Sequence, residues 1–566
     1  MLKEQRHRLW PADLFLVACF GLLMAFTRSL FTGDTYWYVL DIQGALGHGW
    51  TDDPKIWDFS HLLWRPLGKI LSGPFLPLIL PHFHNNAATS ITFLLVCLNV
   101  SAMLICGLLV QSAAWRLSGN RLTATWAAVA FLCISPLLNY SRSGSSYVFG
   151  LAFFLGAFYL SGFYQGDSRK AAVLCGILMS VAVLAWVPYL VSIPAVLLAG
   201  PLLSRDSRSE RKRFMGFAVL AGLIAGVIVA GFYGVALGCL RVHTVSALQQ
   251  WIHASSHDPD RNRKLLRMAT GFPRSVYELG DVARWIKWYL FRDPYAQVGL
   301  LELMHVSLLK LAVFYVTLAS LILSLWRSLM GRRLLVLLII AMIPNLGMAL
   351  YYESGSPERY LPFLPIVFIA FGYVLGSKDL SIRWKTLMAL MCCAHIPVNL
   401  ATLSASRVNR KFSIAADSLA DLTQLRPGNH LYVINGSDDR AQLIVVAPFH
   451  PINQKSLPEF DTIMPTLGPR VAFWQIDFAS TTLRTWDHSG EVWVTNRVLS
   501  QRPRRNWAWV EGDDKRITWK AIYEFFQGLD HSDTKGGVDG FFQIPNTPKN
   551  RSALLAVSTM SSGSSL

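Results

Sequence analysis

Apolar runs of membrane-spanning length recur through the first four hundred residues, and nothing else in the chain constrains its fold as strongly. A hydrocarbon core roughly 30 Å thick needs about 20 apolar residues per helix. On that measure about eleven spans lie near 12–29, 87–110, 122–138, 144–163, 171–187, 189–203, 215–239, 304–326, 332–351, 360–376 and 384–403. The 566-residue chain is 52% hydrophobic and only 15% charged, which excludes an ordinary soluble protein. Pro188 and Pro194 leave 171–203 open to two readings, a pair of spans or one broken helix. The basic start, MLKEQRHRLW, enters the first apolar run with no clean small-residue cleavage site after it. That run therefore reads as an uncleaved first span.

Loop charge orients the spans, because Lys and Arg collect in cytoplasmic loops. With the N-terminus cytoplasmic, the inside loops are WRLSGNRL, YQGDSRK, SRDSRSERKR, WRSLMGRR and GSKDLSIRWK, each with more Lys and Arg than Asp and Glu. The outside segments are a first loop, 28–86, then NYSRSGSS, a second large loop, 240–303, and YYESGSPERY. Ten spans instead of eleven would carry SRDSRSERKR across the membrane. The expectation is an α-helical polytopic domain over 1–403 and an extracytoplasmic C-terminal domain over 404–566. In the latter, LYVING, QLIVVAP, RVAFWQI and EVWVTNRV read as short strands and TWKAIYEFFQG, near 518–528, as a helix. The end, SALLAVSTMSSGSSL, reads as loose. The result would be a small α/β or mostly β domain.

All eight cysteines lie in or beside apolar runs, with no CxxC or Cys/His metal spacing, so neither a disulfide framework nor a structural zinc site is expected. A cysteine-free tail leans toward a bacterial inner (plasma) membrane. In an endoplasmic reticulum, Asn139, Asn435 and Asn550 would be glycosylation candidates. The net charge of +17 does not imply nucleic acid. Its basic residues are dispersed among loops on both sides rather than gathered in one stripe.

The stretch FTGDTYWYVLD, 31–41, follows the first span. Tyr36, Trp37 and Tyr38 hold Asp34 at headgroup depth, since such rings prefer the interface. A carboxylate near lipid is costly, and it can serve as a general base. Asp41 follows one or two turns later if 34–46 is helical. Asp52 and Asp53 read equally well as charges that keep a translocated loop soluble.

Three further stretches accompany this layout: HLLWRPLGKIL at 61–71, FLCISPLLNYSRSGSSYVFGLAFFLGAFY at 131–159 and PERYLPFLPIVFIAFGY at 357–373. Together they resemble the GT-C superfamily of membrane glycosyltransferases, among them the protein O-mannosyltransferase-like and aminoarabinose-transferase-like members. The resemblance covers roughly residues 1–400. It implies an integral membrane enzyme that moves a sugar from a polyprenyl-phosphate-linked donor to a glycan, lipid or protein acceptor on the extracytoplasmic face. It implies catalysis by Asp34, with Asp41 as the second candidate. There are departures. No tetratricopeptide repeats follow, and Thr35 stands where many members place a second acidic residue, so no cofactor is assigned and a divalent metal stays open.

A lipid phosphate calls for arginine, whose planar fork pairs two phosphate oxygens. Arg359, between Glu358 and Tyr360, is the first candidate, against an ion pair with Glu353 or Glu358. Arg65 and Arg142 come next, with snorkelling as their plain alternative. The basic stretch HDPDRNRKLLRMATGFPRS, 257–275, adds Arg263 and Lys264, against a role on anionic headgroups or as a solvated helix face. Tyr36, Tyr38, Glu358 and Tyr360 are candidates for other substrate contacts. RWIKWYLF, 284–291, has the pattern of an interfacial helix. His82 and His84 in PHFHNN read as a loop entering the second span rather than as metal ligands, and His61 has similar status. Trp474, Trp486, Trp493, Trp507 and Trp509 read as core of the tail domain before sugar-stacking platforms. Two rival functions remain: a transporter or flippase of lipid-linked or polymeric glycan, and a non-catalytic scaffold or sensor. No internal repeat or paired broken helices favour the first, and the second requires Asp34 and Arg359 to be dispensable.

Overall fold

In a computed structural model of the chain, the described residues are 11–29, 34–51, 54–83, 86–164, 168–203, 208–254, 264–279, 308–378, 380–406, 428–434, 459–463, 471–499, 522–533 and 540–559. The chain divides into two compact units. One comprises Met1–Asp34, Gly44–Ile70 and Leu94–Val408, the other Thr35–Gln43, Leu71–Phe93 and Asn409–Leu566.

The first unit is a polytopic helical bundle, the segments Thr35–Gln43 and Leu71–Phe93 of the helices below belong to the second unit, and every expected span falls on helix among its described residues. In chain order the helices are α1 (Pro11–Phe26), α2 (Thr35–Ala45), α3 (Trp64–Ile79), α4 (Ala87–Ser118), α5 (Arg121–Leu132), α6 (Ser135–Tyr140), α7 (Tyr147–Phe163), α8 (Ser168–Ala185) and α9 (Ile193–Leu203). There follow α10 (Arg208–Cys239), α11 (Val245–Ala254), α12 (Lys264–Arg274), α13 (Leu309–Trp326), α14 (Leu329–Tyr351), α15 (Leu364–Gly376), α16 (Ile382–Cys393) and α17 (His395–Thr402). Among them α4, α8, the Phe214–Cys239 part of α10, α13 and α14 are each long and apolar enough to cross a bilayer alone. The remaining spans are shorter apolar helices or helix pairs such as α16 and α17.

The doubtful stretch 171–203 is two spans. A 3-10 turn, Val187–Ser192, follows α8. Cys175 of α8 lies 3.5 Å from the Ala157 carbonyl of α7, so α8 runs back along α7. The chain then turns again. A Cβ on Gly150, near the start of α7, would sit 2.7 Å from the Tyr189 ring, and Ala199 packs at Gly162, near its end. Thus α9 runs in the same direction as α7, and Pro188 opens a reversal, not a kink. Glycine is required at 150 because helix and ring approach too closely for a side chain.

Eleven spans place the loops after odd-numbered spans at one end of the bundle, and contacts bear this out. Arg28 N–H donates to the Leu403 carbonyl at 2.8 Å, Tyr189 Oη to the Tyr147 carbonyl at 2.7 Å, and Tyr233 Oη to the Phe59 carbonyl at 2.8 Å. Arg274 donates to the Gly355 carbonyl at 2.9 Å. At the other end, Arg116 Nε donates to Tyr159 Oη at 2.8 Å, and Ser328 Oγ meets Tyr373 Oη at 2.9 Å.

The second unit contains a four-stranded sheet of β1 (His430–Ile434), β2 (Glu459–Ile463), β3 (Val492–Thr495) and β4 (Phe541–Ile544), in the order β2-β1-β3-β4. β1 is parallel to β2 and β3, while β4 is antiparallel to β3. RVAFWQI is not a strand; it opens helix α18 (Val471–Asp487). Phe478, Ala479, Thr482, Leu483 and Trp486 are buried, which is helical spacing. Nor is the C-terminal stretch loose over its first part. Helix α19 (Pro548–Thr559) starts on a proline, its Asn550 N–H is taken by Thr547 Oγ1 at 3.2 Å, and Leu554 is buried. Residues 522–528 are helical as expected, whereas QLIVVAP lies outside the described residues. Trp486 and Trp493 are core residues; the Trp474 side chain, Trp507 and Trp509 are outside the description. Asn139 and Asn550 are buried and hydrogen-bonded, which rules them out as glycosylation acceptors in this fold.

Candidate active site

A polar cleft opens at the odd-loop end of the bundle. It is lined by Ser60, His61, Tyr147, Val187, Pro188, Met348, Tyr352 and Arg359, drawn from the loops after spans one, three, five and nine. Asp34, just ahead of α2, accepts a 2.8 Å hydrogen bond from Tyr147 Oη on its Oδ2. The sequence alone placed Asp34 near the interface; the fold adds the partner that ties it to the cleft.

Arg359 sits in a 3-10 turn, Pro357–Tyr360, between α14 and α15, and is 7% exposed. Its guanidinium lies over two ring faces, 5.5 Å from the Trp186 centroid and 5.6 Å from that of Tyr352. The alternative of an ion pair with Glu353 or Glu358 does not hold: among the described residues Arg359 makes no salt bridge, and its buried Nε has no hydrogen-bond partner. Glu358 instead accepts from Tyr140 Oη at 2.7 Å on its Oε2. Burial raises the Glu358 carboxyl above its ordinary range, opposed by nearby Arg359 and the Tyr140 hydrogen bond. Glu358, Glu353 and Asp34 act on the buried Arg359 guanidinium through space and favour its charged form, and a charged guanidinium with no salt bridge among the described residues is suited to an anion.

The other expected residues are placed as follows. Arg65 is occupied: it pairs with Asp58 at 2.9 Å and donates to the Lys55 carbonyl at 2.6 Å. Arg142 is buried and donates to the Thr27, Leu23 and Met24 carbonyls. It thus caps the C-terminal end of α1, where a cation also meets the negative end of the helix dipole. Burial, and then Arg28 nearby, pushes its pKa down to about 10. Tyr360 donates to the Ser354 carbonyl at 2.6 Å and stacks on Phe272 at 5.3 Å, away from the cleft lining. Asp41 lies on α2 and is half-buried, and Tyr38 is buried. Arg263, and the side chains of Tyr36 and Lys264, lie outside the described residues, as do Asp52, Asp53, His84 and 284–291.

His61 emerges with a role that no sequence pattern gave it. It packs on Tyr147 at 5.9 Å, and its Nδ1 meets Ser146 Oγ at 2.8 Å and the Ala185 carbonyl at 3.1 Å. A carbonyl only accepts, so the Nδ1 proton is set by this contact. Burial pushes the His61 pKa down to about 4, against the raising effect of Asp58 and Asp34. The neutral imidazole is therefore part of the cleft wall. Among the described residues no group of three His, Cys, Asp or Glu side chains could hold a metal. A second cavity, lined by Phe272, Tyr277, Phe314, Phe368, Met391 and His395 among others, is apolar. The polar cleft instead has in its wall both a buried cation, Arg359, and Tyr147, whose phenol is bonded to the Asp34 carboxylate.

Comparison with solved structures gives the fold an independent reference. The chain is similar to the crystal structure of ArnT from Cupriavidus metallidurans bound to undecaprenyl phosphate, with a TM-score of 0.54, 11% sequence identity, and coverage of 94% of this chain and 98% of that one. At that identity the likeness is one of fold, and it runs through both units. No protein-family model and no curated protein matches the sequence.

Proposed function

From the GT-C fold of this multi-pass membrane protein and the composition of its cleft, we propose an integral membrane glycosyltransferase that takes its sugar from a polyprenyl-phosphate carrier. The ArnT structure with undecaprenyl phosphate supports the class of donor. The observation that carries the reading is Arg359, a buried guanidinium with no ion pair among the described residues, lining the same cleft as the tyrosine that holds Asp34.

Asp34 takes the proton from the acceptor hydroxyl or amine as that group attacks the anomeric carbon. The bond from that carbon to the phosphate oxygen breaks, and its electron pair leaves on the phosphate. Arg359 stabilises the charge that gathers there, and the aromatic faces beneath it keep water away. The apolar carrier lies between spans. With cytoplasmic short basic loops, the cleft and the C-terminal domain face the extracytoplasmic side of a bacterial inner membrane. Acceptor and sugar are set by groups beyond these two.

Binding of radiolabelled undecaprenyl phosphate to the nanodisc-held chain tests the donor site. Arg359→Gln should weaken it by roughly 10- to 100-fold, the scale of a charge-assisted hydrogen bond. Equal binding by wild type and variant would remove Arg359 from the donor site.

A further inference from the structure

Tyr147 lines the cleft, yet the chemistry above gives it no task. It stands at the first position of α7, and among the described residues it is the one hydrogen-bond donor to Asp34. An aspartate carboxylate turns freely about its side-chain bonds. A phenol fixed on Oδ2 leaves Oδ1 as the oxygen that meets a proton. The phenol can do this only if it is itself immobile.

Both its ring and the turn before it are held. Its ring packs edge-on against Tyr140 at 5.0 Å and tilted against Trp186 at 4.8 Å. The turn that leads into it is tied by one residue of the second span. Asn99, fully buried on α4, donates from Nδ2 to the Ser143 and Ser145 carbonyls, each at 2.7 Å, and accepts from Phe149 N–H at 3.0 Å. An amide inside an apolar helix is costly unless its bonds are made. All of these bonds are made to the segment that presents Tyr147. Trp64 Nε1 adds a fourth tie, to the Gly144 carbonyl at 2.6 Å.

The geometry points to Tyr147 as the positioning residue for Asp34, and to Asn99 as the residue that fixes Tyr147. The inference rests on the transferase reading for what Asp34 then does. Tyr147 acts through the carboxylate, not on substrate, so its effect must vanish when Asp34 cannot accept a proton.

A double-mutant cycle in the full-length chain reads this directly. Tyr147→Phe keeps the ring and its packing. It should lower kcat by roughly 10- to 100-fold, as expected for a hydrogen bond to a charged group, while the KM for a polyprenyl-phosphate sugar stays within about twofold. Added to Asp34→Asn it should change nothing further. Independent, multiplying effects would overturn the inference, as would a wild-type rate for Tyr147→Phe beside an inactive Asp34→Asn. No transfer by the wild type would instead defeat the transferase reading, and an active Asp34→Asn would remove Asp34 as its base. A second arm needs no substrate: carbodiimide labelling with a glycine ester, followed by peptide mass spectrometry. Tyr147→Phe should label Asp34 several-fold faster, whereas Tyr140→Phe should speed labelling of Glu358 and leave Asp34 unchanged. Unaltered Asp34 labelling in Tyr147→Phe would overturn the inference whatever the protein transfers.

Discussion

His61 shows at the scale of one residue how burial turns a titratable group into a structural one. Its pKa of about 4 lies below the ordinary 6.5. Between those values the unfolded chain takes up a proton that the folded chain refuses, so stability falls as pH drops through that window. Fluorescence-detected melting between about pH 7 and about pH 4.5 should show the wild type losing Tm more steeply than His61→Gln, since the variant has no group to protonate. Parallel curves would contradict a buried neutral imidazole. Other single residues were only partly legible from sequence. Asp34 could be found because a carboxylate just past a span is rare. Tyr147 could not, since its contact with Asp34 closes 113 residues of chain and nothing distinguishes one tyrosine at a helix start from another. Arg142 was visible as a cation near a span end. Its side-chain bonds to α1 carbonyls are a tertiary fact, and they convert a candidate phosphate ligand into a helix cap.

Among elements, α12 and the turn 352–360 depend on each other. A Cβ on Gly271 would lie 2.0 Å from the Ser354 carbonyl oxygen, which is backbone and cannot swing aside. Arg274 of the same helix donates to the next carbonyl, Gly355. Gly271→Ala should therefore push α12 off the turn that carries Arg359. The expected result is a lowered Tm together with weaker undecaprenyl phosphate binding. Gly216→Ala, where nothing lies within 4 Å, should leave both unchanged. Loss in both variants, or in neither, would count against this coupling. The spans were legible as elements because membrane helices carry their signal in length and hydropathy. The tail domain was less so. LYVING and EVWVT read correctly because β1 and β3 are short and rich in branched and aromatic residues. RVAFWQI shares that composition, but it is one end of a 17-residue helix whose buried face appears only further along. A seven-residue window cannot separate the two.

For the whole molecule, topology is the claim that joins sequence to site. Eleven spans bring Asp34, Tyr147, His61 and Arg359 to one end, and the basic short loops stand at the other. If the positive loops are cytoplasmic, His243→Cys should react with a membrane-impermeant maleimide in intact cells, while Lys378→Cys should react only after permeabilisation. The reverse pattern would put the cleft on the cytoplasmic side and exclude the proposed orientation. Function rests on transfer of sugar in the cleft through Asp34. Its most direct measurement is transfer from a labelled panel of polyprenyl-phosphate sugars, comparing wild type with Asp34→Asn at matched expression and Tm. Product is expected from the wild type, with a loss of roughly a hundredfold or more in the variant, the scale of a general base. Undiminished transfer by Asp34→Asn would contradict it.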